Sequence, residues 1–455
     1  MTQADLYVRN GRVVTASRDF VGGVVVADGR VREVVEGNQD IAAKEVIDAT
    51  GLLVMPGLVD AHVHFSEPGR GHWEGFATGS RAAAAGGITT FVEMPLNAHP
   101  PTINAEALAL KKAAARTSIV DYALWGGLVD NNLADLEDLH AGGVVGFKAF
   151  MVTATDFARS DRDILKAGME TIARLNSFLA VHAEDEEMTT RLTADLRAKG
   201  RRDRRAWGEA RPITAELRAI DQAIALAEET GARLHIVHVS SAAGIDRISD
   251  AKARGALVTS ETCPHYLFFD ETDLEVIGPL AKCAPPLRAP SEREALWERV
   301  LAGHVDVIAS DHSPCLIEEK TIGNDDIFGA WGGISGLQST LPAMLTEGVH
   351  KRRLSLQDLV RMTALGPARL FGLAPTKGDI TPGGDADLVL VDHDAQFLLT
   401  SEALHYRNRH SAYVGRNFRG RVQRTLRRGQ TVFDGPAMLD TPGRWISQND
   451  GALTT

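Results

Sequence analysis

The sequence predicts an α/β protein in which a (β/α)8 barrel carries a small β-sandwich made from the two ends of the chain. Three observations lead there. Both ends, residues 1–55 and 374–455, alternate apolar and polar positions and carry Asn-Gly and Asp-Gly turn signals, the pattern of short strands. The intervening region, 56–373, alternates brief apolar runs with Ala-rich and Leu-rich amphipathic stretches, the form of repeated βα units. Finally, a chain of 455 residues with 44% hydrophobic and 24% charged positions has an ordinary globular composition and can bury a large core.

In chain order, YVRNGRVVT, GGVVVADGRVREVVEG and KEVIDATGLLVM read as terminal strands, and the same texture returns in DADLVLVD, GRVQRTLRRG and QTVFDG. The two sets are expected to combine into one domain. Between them lie eight candidate barrel strands: LVDAHVHF, ITTFVEM, VDYALWGG, VVGFKAFM, FLAVHAE, RLHIVHVSS, ALVTSETCPHY and VDVIASDHSP. Each is followed by helix-compatible sequence. The first helix, within WEGFATGSRAAAAGG, ends at Gly86 and Gly87, where a left-handed cap is wanted. In such a barrel the active site lies at the carboxyl ends of the strands.

The formal charge of −11 argues against a nucleic-acid partner, which would require a basic surface. The one basic run, Arg201 to Arg211, is broken by acids and reads as a solvated face. No apolar stretch is long enough to span a bilayer, and the first residues lack the apolar centre of a signal peptide, so a cytoplasmic protein without a membrane partner is expected. Cys263, Cys283 and Cys315 are odd in number and far apart, which fits buried thiols rather than disulfides.

The chemistry is concentrated at the predicted strand ends. His62 and His64 are two apart on the first strand, so both side chains face the barrel interior. Lys148 on the fourth strand, His182 on the fifth, His238 on the sixth and Asp311 on the eighth occupy corresponding places. Independent core histidines would not select the mouths of separate strands; together these six side chains predict a centre of two divalent metal ions per subunit. An ammonium facing two dications would be repelled and desolvated. Lys148 is therefore expected to be neutral or modified: reaction with carbon dioxide would give a carbamate, N6-carboxylysine, which can bridge both metals, and pairing with a carboxylate such as Glu184 is the alternative. With the carbamate, Asp311 and a bridging hydroxide supplying negative charge, the centre retains one positive charge.

These motifs resemble the cyclic amidohydrolases of the urease-related superfamily, and within them the allantoinases, over essentially the full chain. The resemblance rests on the HxH motif with the four further ligands, on WEGFATGSRAAAAGGITT and MPLN, and on KCAPPLR, SDHSPC and FGAWGGISGLQ. It implies a TIM barrel with a β-sandwich, a homotetramer, and a pair of metals, zinc first among zinc, cobalt, manganese and iron. It further implies hydrolysis of a cyclic amide by a metal-bridging hydroxide, with Asp311 as both ligand and proton shuttle. The expected substrate is allantoin, opened to allantoate. Dihydroorotases carry HxHxR, whereas Ser66 stands at the last of those positions here, so a neutral substrate is favoured. Asn97, Gly332 and Gly333 are further candidate substrate contacts, and Arg70 and His265 are pocket candidates without an assigned role. Hydantoinase, dihydropyrimidinase and dihydroorotase activity are the enzymatic alternatives, and a catalytically silent assembly protein of the same fold is the non-enzymatic one.

Overall fold

The structure, a computed structural model, describes residues 3–447 apart from residues 38, 155, 156 and 436. Among the described residues the terminal segments meet in one sheet of nine strands. Leu53–Pro56, the last strand of the N-terminal segment, pairs parallel to Ala4–Val14 on one side and antiparallel to Leu388–Leu398 on the other. The sequence alternation explains the joint: Val8, Val13, Val24, Val26, Leu388 and Leu426 turn to a single apolar cluster drawn from both ends of the chain.

The two turn signals in the N-terminal segment have different fates. Asp28 and Gly29 have φ of 52° and 74° and form the tight turn between Asp19–Ala27 and Arg30–Glu36. Asn10, with φ of 62°, lies inside the continuous strand Ala4–Val14, where the register shifts between Val8 and Gly11. A left-handed residue serves a hairpin turn or a bulge equally well, and here pairing with the neighbouring strands continues on both sides, so it forms a bulge.

The central region contains the eight expected strands, all pairing in parallel. Leu58–Val63, Ile88–Glu93 and Asp121–Leu124 form one set. The third strand breaks at Trp125 and resumes as Gly126–Gly127, which begins a second set through Phe147–Phe150, Phe178–His182, Arg233–Ile236, Val258–Thr262 and Val307–Ile308. The eighth strand is shorter than its apolar run, but the chain beyond it bridges Val63 at His312, and the His64 amide donates to the His312 carbonyl at 2.8 Å. The first helix of this region runs Phe76–Ala85 and ends at Gly87, φ 82°, where an added Cβ would meet Val389 of the terminal sheet at 2.9 Å.

The C-terminal tail leaves the terminal sheet and pairs with the third central strand. Tyr122 donates its amide to Arg444 O at 3.0 Å and accepts from the Ile446 amide at 2.8 Å. No described helix is long and apolar enough to cross a membrane.

Candidate active site

The carboxyl ends of the parallel strands bring the six predicted side chains together. His62 Nε2 lies 3.3 Å and His64 Nε2 3.5 Å from Asp311 Oδ1. The imidazoles continue as a chain, with ring centroids 5.3 Å apart for His62 and His64, 5.5 Å for His62 and His238, and 4.5 Å for His182 and His238. All are buried, as is Lys148. His238 and Asp311 hold φ of 39° and 43°, and nearby Ser66 and Asn97 both hold 64°. Left-handed backbone is uncommon outside glycine, and its recurrence at strand ends marks a place where side-chain direction outweighs backbone preference.

Burial disfavours the charged form of three of these imidazoles: it lowers His64 to about 4, His182 below its ordinary value and His238 well below it. Neutral imidazole is the form that binds a cation. Burial raises Asp311, but the neighbouring His62 and His64 outweigh this and keep it below the usual carboxylate range. Lys148 is brought down to about 7 by burial, against the attraction of Glu261 and Asp311. Neither Lys148 Nζ nor His238 Nδ1 has a hydrogen-bond partner among the described residues. Buried polar atoms are rarely left so. Unpartnered nitrogens, neutral imidazoles and a carboxylate form a donor set suited to divalent cations.

Two carboxylates orient these rings: Glu261, which the sequence reading missed, and Glu184, which it offered only as a partner for Lys148. His62 Nδ1–H donates to Glu261 at 2.7 Å, and His182 Nε2–H donates to Glu184 at 2.6 Å. Arg211 in turn donates to Glu184 at 2.7 Å. Burial raises Glu184, and Arg211 with His182 brings it down to about 2. Arg211 thus departs from the expected solvated run: it lies over the Trp207 ring and lines the site cavity. The signal was present in VHAED, where Glu184 follows His182 by two residues and shares its face.

The cavity measures about 690 Å³ and is lined by His62, His64, His182, His238 and Asp311, with Trp73, Trp207 and Trp331 around its mouth. Of the expected substrate contacts, Asn97 and Gly332 line it, and the Asn97 amide also lies 3.3 Å from His64 Nδ1. Ser66 and Gly333 fall outside the lining. The Ser66 amide donates to Glu93 at 3.2 Å, and Gly333 packs so closely on Ser313 that an added Cβ would stand 2.5 Å from its Cβ. Arg70 lines the cavity and lies over Trp73, whereas His265 is buried behind it within 4.8 Å of Asp311 and Cys263. Cys263, Cys283 and Cys315 are free and buried, as expected.

Residues 53–432 match the model of the Amidohydrolase family. The chain belongs to the amidohydrolase family. It is accordingly a hydrolase. This amidohydrolase is 51% identical over 450 residues to a protein named allantoinase from Rubrobacter xylanophilus, covering 98% of each chain. It is 48% identical over 434 residues to another so named from Solibacter usitatus, covering 95% of this chain and 94% of that one. Among solved structures, L-hydantoinase (dihydropyrimidinase) from Arthrobacter aurescens superposes with a TM-score of 0.95 at 36% identity, covering 98% of this chain and 100% of that one.

Proposed function

We propose that the protein is an allantoinase, opening the hydantoin ring of allantoin to allantoate in purine and ureide breakdown. The observation that carries this reading is the 51% identity over nearly the full chain to a protein of that name, against 36% for the hydantoinase structure. The expected architecture enters the proposal too. The parallel strands are read as a closed (β/α)8 TIM barrel of residues 56–373, supported by the Val63–His312 bridge. The terminal sheet is read as a β-sandwich domain of residues 1–55 with 374–455; residues 1–2 and 448–455 lie outside the described residues.

His62, His64, Lys148, His182, His238 and Asp311 would hold two divalent cations, zinc by preference, with cobalt, manganese or iron also suited to the donors. The unprotonated Lys148 amine attacks carbon dioxide, forming a C–N bond and losing a proton to solvent, which gives N6-carboxylysine. Bound cations supply Lewis acidity and lower the pKa of water, the chemistry required to hydrolyse a cyclic amide. Asp311, facing His62 and His64, takes the proton of the attacking water and delivers it to the departing ring nitrogen. Water thereby adds oxygen to the carbonyl carbon as the ring C–N bond breaks. Asn97 and the backbone at Gly332 border the substrate in the cavity; Ser66 and Gly333 shape that wall from behind. The partners are the small-molecule substrate and other copies of this chain in a cytoplasmic homotetramer.

Hydantoinase or dihydropyrimidinase activity is the second reading, favoured by the TM-score of 0.95. A panel of allantoin, hydantoin, dihydrouracil and dihydroorotate, offered to metal-loaded protein, separates the readings. Allantoin should be opened fastest and dihydroorotate far more slowly, because the neutral Ser66 stands where dihydroorotases present an arginine. Preference for dihydrouracil would move the assignment to dihydropyrimidinase, faster turnover of dihydroorotate would move it to dihydroorotase, and a wholly inactive metal-loaded protein would favour an assembly role.

A further inference from the structure

We propose that Glu261 is a positioning residue for the metal centre, fixing the tautomer of His62 and supplying the negative charge that the six ligands leave wanting. The inference rests on the reading that two cations occupy this site. Glu261 comes from the strand Val258–Thr262, is fully buried, and spans three elements. One carboxylate oxygen lies 2.7 Å from His62 Nδ1 and 3.2 Å from the backbone N–H of His238; the other lies 3.3 Å from His235 Nε2. His235 is anchored in turn by Thr259, whose hydroxyl lies 2.8 Å from its Nδ1.

A carboxylate can only accept, so the His62 proton must sit on Nδ1, leaving Nε2 bare and directed toward Asp311. This is how a histidine is prepared for a cation. The same contact with the His238 amide holds the left-handed turn that brings His238 to the site. The comparison with Glu184 shows why charge matters as well. Glu184 holds His182 in the same manner, but Arg211 pairs with it at 2.7 Å and cancels its charge. Beyond the His238 amide, the partners of Glu261 are the imidazoles of His62 and His235, with no arginine or lysine in ion-pair contact among the described residues. Its negative charge is therefore left to the centre, which the ligand count leaves with one positive charge.

The test measures metal content and zinc affinity of purified wild-type, Glu261→Gln and Glu261→Leu proteins, with 15N shifts of the His62 ring in zinc-loaded wild type. Wild type should hold two zinc ions. Glu261→Gln, which keeps shape but loses charge, should bind zinc about 10-fold more weakly, and Glu261→Leu about 100-fold more weakly. The ring should show Nδ1–H with zinc on Nε2, a readout that requires no variant to fold. Unchanged affinity in both variants, or zinc on Nδ1 of His62, overturns the role of Glu261 while leaving the metal centre standing. Wild type without zinc overturns both.

Discussion

Two buried clusters of ionisable groups lie at opposite ends of the parallel strands, and each contains three ligands spaced for a cation. At the carboxyl ends His62, His64 and Asp311 converge; at the amino end of the third strand Asp121 meets Asp385 and Asp387. The second cluster already contains its cation. Lys377 Nζ lies 2.9, 3.1 and 2.6 Å from Asp121, Asp385 and Asp387, and Arg428 also pairs with Asp121. Burial lowers the Lys377 pKa, but the three carboxylates outweigh it and hold the ammonium charged. At the mouth, Lys148 is equally buried yet has no hydrogen-bond partner among the described residues, and burial pushes it toward neutrality. A cluster satisfied from within joins the terminal sheet to the parallel strands; one left unsatisfied awaits something from outside.

Substitution should separate the two most sharply at the lysines and at Asp311. Lys148→Ala should bind metal poorly and hydrolyse allantoin negligibly, with partial rescue by a short carboxylic acid that replaces the carbamate oxygens. Two metals and near-normal turnover in this variant would remove Lys148 from the centre. Asp311→Asn should remain folded, since it sits at a strand end above the packed layers, and should lose on the order of 10²-fold or more in turnover. Unchanged turnover and pH dependence would place the proton shuttle elsewhere.

At the other cluster the expected loss is of stability. Lys377→Met leaves three buried carboxylates facing Arg428 without their central ammonium, a change expected to cost about 3–5 kcal/mol. Urea denaturation reads this directly, and the metal content of folded subunits should be unaffected. An unchanged midpoint would show that the ammonium is dispensable.

A smaller effect is expected beside the cavity, where the buried Lys320 ammonium donates to the Lys282, Trp331 and Gly333 carbonyls. Burial lowers its pKa to about 8 from an ordinary 10.5. The unfolded chain therefore binds more protons between those values, and this group's contribution to stability improves as pH rises through that window. Lys320→Met should lack that slope and raise KM for allantoin a few-fold as the loop slackens. Parallel stability profiles for the two proteins across that window would contradict the assignment.

The mouth cluster was legible in the sequence because strand ends recur in order and each ligand sits on an apolar run. Glu184 was signalled by its place two residues after His182, but Glu261 was hidden for a physical reason: it reaches His62 from 199 residues away, and local spacing does not encode that contact. The Asp121 cluster was hidden too, since Asp121 lies 256 residues from Lys377, although Asp387 is only 10 residues from that lysine. The left-handed backbone at His238 and Asp311 had no glycine or asparagine to announce it. The NG signal at Asn10 correctly marked positive φ but misled about the pairing around it, because a bulge and a hairpin turn accept the same dihedral.

The most direct measurement is metal stoichiometry with location: elemental analysis of the purified protein, followed by anomalous diffraction from zinc-loaded crystals. Two zinc peaks per subunit among His62, His64, Lys148, His182, His238 and Asp311, with none among Asp121, Asp385 and Asp387, is the predicted result. An empty mouth, or zinc displacing Lys377 at the base, would contradict it.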